Sequence, residues 1–141
     1  MTNTANEAAA EPNMRGTAAW GKRLSAALGA VAGGFAVWAV AVPVAGVDLI
    51  VRAGGQMHVG PLAVLLMAVG ASAVGLGLLA LLERLLARGR MVWLIVSGVV
   101  LAISLTGPLG AVSVGAMVTL LCMHLVVGGI LIAGVAATTR R

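Results

Sequence analysis

Two histidines, one cysteine and four acidic residues stand beside nine Lys and Arg as the chain's chemically versatile side chains. His124 has the most unusual setting. It sits in "TLLCMHLVVGG", Thr119 to Gly129, within a run that is otherwise almost purely apolar. An imidazole titrates near neutral pH, so His124 could take up and release a proton. A neutral imidazole in the same place could instead tie helices together by hydrogen bonds. Cys122 has no second cysteine to pair with and lies among apolar residues, where a thiol behaves as a small hydrophobe.

The second group is in "GVDLIVRAGGQMHVG", which holds Asp48, Arg52 and His58. Val47, Leu49 and Val51 alternate with Asp48, Ile50 and Arg52, and Gln56 and His58 continue the alternation after Ala53-Gly54-Gly55. Period-two alternation around a glycine pair predicts a short β-hairpin. Asp48 and Arg52 then share one side, loosely placed to pair. An exposed pair adds little stability. Asp48, Arg52 and His58 are the candidate surface for a partner or ligand; the alternative is a loop that only caps the bundle. One His and one Asp do not complete a metal-ligand set, so no metal is expected.

Enzyme signatures are absent from the sequence. It has no P-loop, no dinucleotide fingerprint, no paired carboxylates, no haem-attachment motif and no Ser-His pair with a third orienting group. The expectation is a non-enzymatic protein without cofactors.

The elements that position these residues follow from composition. Sixty-one per cent hydrophobic residues, nine per cent charged residues and a mean hydropathy of +1.12 exclude an ordinary soluble domain and make lipid the solvent. Met1 to Ala19 is polar and reads as a disordered cytoplasmic tail. The first apolar run, Leu24 to Ala45, spans roughly 33 Å as a helix, enough for one bilayer core. Pro61 to Leu82 forms a second, with Pro61 suited to a first helical turn. Met91 to Thr139 has no charged residue and as one helix would reach roughly 70 Å, so it must fold back on itself. Gly107-Pro108-Leu109-Gly110 is the turn between a third helix, about 88–106, and a fourth, about 113–136. The predicted fold is an all-α membrane domain over 20–138, a four-helix bundle with a hairpin-like loop between the first two helices. A short basic cytoplasmic tail, 139–141, follows.

Charge placement sets the orientation. Arg15, Lys22 and Arg23, then Arg84, Arg88 and Arg90, then Arg140 and Arg141 flank apolar runs, and only Arg52 stands apart. This is the positive-inside pattern of a plasma-membrane protein with both termini cytoplasmic. Trp20 and Trp93 fall near the inner interface, and Glu83 beside Arg84 reads as an interfacial pair. The clusters form no basic stripe with interleaved aromatics, so nucleic acid is not an expected partner. Lys22-Arg23 and Ala39-Val40-Ala41 also resemble a signal peptide with its cleavage site, although the apolar run is long for one.

Depth counting puts His124 at the bilayer midplane with Ser72, Ser97, Gly33 and Gly34. The expectation is a polar layer in which a serine hydroxyl bonds the imidazole and the glycines leave room for the ring. Such a layer could serve a proton or small-solute pathway in an oligomer, or act as structural glue. Small residues such as Gly29, Gly33 and Gly34 permit close helix packing within one chain, and also permit a homo-oligomer through the helix faces.

The landmarks "VWAVAVPVAGVDL" (Val37 to Leu49), "VGPLAV" (Val59 to Val64), "LLALLERLLAR" (Leu78 to Arg88), "LTGPLG" (Leu105 to Gly110) and "LLCMHLVVGGILI" (Leu120 to Ile132) occur in one order along the chain. From Leu24 to Ala136 the chain resembles a family of small four-helix membrane proteins, the domain of unknown function family numbered 6069. The resemblance implies the four-helix fold and no particular activity. An accessory or structural role with a membrane or extracytoplasmic protein partner is the leading expectation.

Overall fold

The computed structural model describes residues 4–52 and 54–138, with side chains from residue 18 onward. Its elements run in chain order: α1 (Thr4–Ala41), β1 (Ile50–Arg52), β2 (Gln56–His58), α2 (Pro61–Leu85), α3 (Gly89–Ser104), a 3-10 turn (Gly107–Gly110) and α4 (Val114–Ala137). Four stretches are long and apolar enough to cross a bilayer: Ala18–Ala41, Pro61–Leu85, Gly89–Gly110 and Val114–Ala137. The helices pack in sequence order around a ring, with α1 meeting α4 most extensively and α2 next. Both described chain ends and the α2–α3 turn share one end of the bundle, the termini end. The hairpin and the α3–α4 turn share the other, the hairpin end.

Three boundaries differ from the sequence expectation. The α1 backbone is helical from Thr4, inside the segment expected to be disordered. Alanines at 5 and 8–10 favour helix. At its far end α1 stops at Ala41 rather than Ala45. Pro43 has no N–H to continue the ladder and disfavours helical geometry in the residue before it. The chain keeps turning to Gly46, whose φ of 67° suits glycine, and Val47 N–H closes back on the Ala41 carbonyl at 2.9 Å. Beyond Leu82, α2 continues to Leu85 through good helix formers. The expected tail 139–141 lies outside the described residues.

Two small cores fill the bundle. Towards the termini end, Ala30, Leu76, Leu79, Trp93, Leu131 and Val135 are buried together. Towards the hairpin end, Leu49, Val64 and Met123 form the other, with Trp38, Val47 and Val59 packed against it. Large apolar side chains also cover the outside, among them Leu66, Met67, Val74, Ile95 and Ile103. A soluble domain would have to hide such a surface, whereas in a bilayer it contacts lipid. The exposed exterior and small interior agree with four membrane-spanning helices.

Small residues set the α1–α4 contact. A Cβ on Gly33 would lie 2.7 Å from Val126 Cγ1, and one on Gly34 would lie 2.7 Å from Val127 Cγ2. One on Gly134 would collide with the Ala26 Cβ. Close approach gives the two helices van der Waals contact that bulkier side chains would block.

Candidate functional site

The hairpin forms as the alternation predicts. β1 and β2 pair antiparallel with Ile50 opposite His58, Val51 opposite Met57 and Arg52 opposite Gln56. Gly54, at φ 74°, supplies the left-handed residue of the connection. Cross-strand partners share a face, so Ile50, His58, Arg52 and Gln56 lie on one side and Val51 and Met57 on the other. Asp48, Arg52, Gln56 and His58 are all exposed. Among the described residues Asp48 makes no ion pair with Arg52, so the expected loose pair does not form.

Both loops at this end hold the hairpin in place. Buried Leu49 plugs it into the bundle, and Val59 N–H donates to the Leu49 carbonyl at 2.8 Å. Trp38 Nε1 donates to the Val59 carbonyl at 3.3 Å, tying it to the end of α1, where Trp38 also stacks on Phe35. From the α3–α4 connection, Val112 N–H donates to the Ile50 carbonyl at 3.0 Å, and Val51 bridges Ala111. The polar face is therefore presented on a braced ribbon.

The midplane residues come together differently from the expectation. His124 Nδ1 lies 2.7 Å from the Leu120 carbonyl one turn earlier in its own helix. A carbonyl only accepts, so Nδ1 carries the proton in this contact. The imidazole is satisfied locally rather than by Ser72 or Ser97. Ser72 is 4% exposed, and its Oγ has no hydrogen-bond partner. Gly75 packs against Leu131, which sets Ser72 near the level of Gly128 and His124 about 6 Å further towards the hairpin end. Gly128 in turn packs on Leu101, so Ser97 on α3 lies on the termini side of that level. The space above Gly33 and Gly34 holds Val126, Val127 and Ile130 in place of the imidazole.

A polar belt at the termini end was not anticipated. Arg23 on α1 forms a two-pronged pair with Glu83 on α2, Nη1 to Oε2 at 2.8 Å and Nη2 to Oε1 at 2.7 Å. The Arg23 guanidinium also lies 5.2 Å from the Trp20 ring centroid. Arg90 on α3 donates to the Val135 and Ala136 carbonyls, where a cation complements the C-terminal dipole of α4. Trp93 is buried, with Nε1 donating to the Gly75 carbonyl of α2 at 2.7 Å. Glu83 thus pairs with Arg23 instead of Arg84, and Trp93 is a core residue instead of a lipid-interface anchor. The sequence signal was available: Glu83 is the one acid between Asp48 and the C-terminus, and Arg23 immediately precedes its apolar run.

These features define the class first: a small multi-pass membrane protein built as a four-helix bundle with a braced hairpin at one end. Residues 14–141 match the family of unknown function DUF6069, and the chain belongs to that family. No curated protein and no solved structure matches it. Among the described residues no three His, Cys, Asp or Glu side chains gather as a metal site.

Proposed function

We propose that this is a non-enzymatic accessory or structural protein of the plasma membrane, with both termini in the cytoplasm and the hairpin outside. The observation that carries the reading is the hairpin: a backbone hydrogen bond from the α3–α4 connection and the Trp38 indole N–H from the end of α1 brace it, and it displays Asp48, Arg52, Gln56 and His58 to solvent. A pre-organised polar ribbon loses little conformational freedom when a partner binds. The positive-inside distribution of Lys and Arg supports the orientation. A photo-crosslinking residue at position 52 is expected to capture a discrete membrane or extracytoplasmic protein in intact cells. Asp48→Lys is expected to reduce the yield several-fold, because an exposed charge steers encounter. Probes at 48, 52 and 58 that all fail to capture a partner would remove the basis for this reading.

The pathway reading has one observation on its side, the buried Ser72 hydroxyl without a partner. Against it stands His124, whose Nδ1 is already used within its own helix. Proteoliposomes carrying His124→Leu are expected to leak protons at the wild-type rate, and its stability is expected to fall by only about 1 kcal/mol. A several-fold loss of flux in His124→Leu would instead establish the pathway.

A further inference from the structure

The outer edge of β2 carries a pattern that fits itself. In an antiparallel ladder, successive residues point their N–H and C=O alternately at the partner strand and away from it. The Val59-to-Leu49 bond sets the phase. With the observed register, Val51 and Met57 face each other through the ladder, whereas Ile50, Arg52, Gln56 and His58 turn their backbone groups outwards. On the β1 side those groups are used, since the Ile50 carbonyl accepts from Val112. On the β2 side, among the described residues, nothing pairs with Gln56 or His58.

Exposed edges are ordinarily blunted by a Lys, a Pro or a bulge. Gln56-Met57-His58 has none of these, its three-residue length being its one protection, and all three residues are exposed. The flanking Gly54, Gly55 and Gly60 are open as well, with nothing within 4 Å of an added Cβ. We infer that this edge pairs antiparallel with the same edge of a second copy, about a two-fold axis at Met57. Gln56 of each chain then faces His58 of the other, and the outward N–H and C=O groups of both residues are satisfied in each direction. Met57, 55% exposed in the single chain, meets its counterpart on the apolar face beside Val51. An isologous contact of this kind closes as a dimer and leaves no further edge. So short a ladder suffices because a shared membrane keeps the chains at high effective concentration. For copies inserted the same way, the axis stands along the membrane normal and lays the paired strands across the membrane surface. The inference rests on the hairpin register and not on the accessory role. Asp48 and Arg52 stay outside the paired edge.

The test uses the full chain in native membranes with the lone Cys122 replaced by Ser. Met57→Cys is expected to give a disulfide-linked dimer on mild oxidation. Only residue 57 faces itself, at the close Cα spacing of a non-hydrogen-bonded pair, so its yield is expected to exceed that of Gln56→Cys or His58→Cys alone by about fivefold. Adding Gln56→Pro removes an outward N–H without touching the β1–β2 ladder, and the loss of two bonds per dimer is expected to lower the yield about tenfold. A monomeric Met57→Cys, equal yields at 56, 57 and 58, or a yield unchanged by Gln56→Pro would each overturn the pairing. Partner capture through position 52 reads out separately, so failure of one proposal is distinguishable from failure of the other.

Discussion

Replacing Glu83 by Gln is expected to destabilise the bundle by about 3 kcal/mol, measured as unfolding in mixed detergent micelles, because it leaves a buried guanidinium without its counter-charge. The Arg23 side chain is 8% exposed and that of Glu83 31%. Burial is therefore unequal, and so is the expected cost of losing each partner. With Gln at position 83 only one side-chain oxygen remains to accept, so one of Nη1 and Nη2 loses its partner beside the Nε that already lacks one, and the guanidinium charge stays uncompensated. Arg90 lies within electrostatic reach of both Arg23 and Glu83, so two cations would then face each other with less compensation. Without Arg23, Glu83 can still turn to water or headgroups, so Arg23→Met is expected to cost less than Glu83→Gln. The double variant Arg23→Met/Glu83→Leu is expected to recover most of the loss, since apolar side chains can replace a buried ion pair at little cost. Additive loss in the double would show that the pair is not coupled as its geometry indicates, and equal losses from the two single changes would show that the unequal burial does not set the cost.

The membrane fold was legible because its determinants are local. A bilayer demands about twenty apolar residues per crossing, and Pro61, Gly107-Pro108 and the charged clusters punctuate the chain at that spacing. The hairpin was legible for the same reason: alternation and a glycine pair are short-range signals. What escaped depends on how the helices slide past one another. Arg23 and Glu83 are 60 residues apart, and the positive-inside rule assigns Arg23 to the headgroups without asking which helix it meets. The depth count for His124 assumed a common level for all helices, whereas the contacts of Gly75 with Leu131 and of Gly128 with Leu101 offset them. It also overlooked the carbonyl four residues back, which every helix offers to a side chain long enough to reach it. Trp93 was misplaced because an indole near a helix start reads equally as a lipid anchor or as a core residue with a donor, and only the α2 backbone decides.

The two ends of the bundle are consequently held by different means. At the hairpin end, backbone pairing and Leu49 join the connections between helices. At the termini end, side chains reach from each helix to a neighbour: Arg23 to Glu83, Trp93 to Gly75, and Arg90 to the end of α4. Burial sharpens the Trp93 bond in particular, because its indole N–H would otherwise have no water to turn to. A change at the hairpin tip is therefore expected to alter association while the bundle stays folded, and a change in the belt to alter stability first.

The largest effect is expected at the turn that makes this belt possible. Gly89→Ala should abolish accumulation of folded protein, with a cost above about 4 kcal/mol, the range reached by buried steric clashes. Gly89 is buried where α3 begins, and α2 ends only at Leu85. Leu86 N–H still bonds the Leu82 carbonyl at 2.9 Å, and Gly89 N–H bonds the Leu86 carbonyl at 3.0 Å, so the reversal is tight. A Cβ at position 89 would collide with the Leu82 carbonyl and stand 2.6 Å from the Glu83 nitrogen. All of these atoms are backbone, so no rotamer change relieves the contact. Relief requires moving the end of α2 or the start of α3, and that motion drags Glu83 from Arg23 and Arg90 from the end of α4. The matched control is Gly98→Ala on the exposed face of α3, where an added Cβ meets nothing within 4 Å. That change is expected to be neutral or to stabilise by up to about 1 kcal/mol through helix propensity. Yield and melting temperature in detergent separate the two: a folded, wild-type-like Gly89→Ala would mean that the α2–α3 reversal is looser than its backbone contacts require.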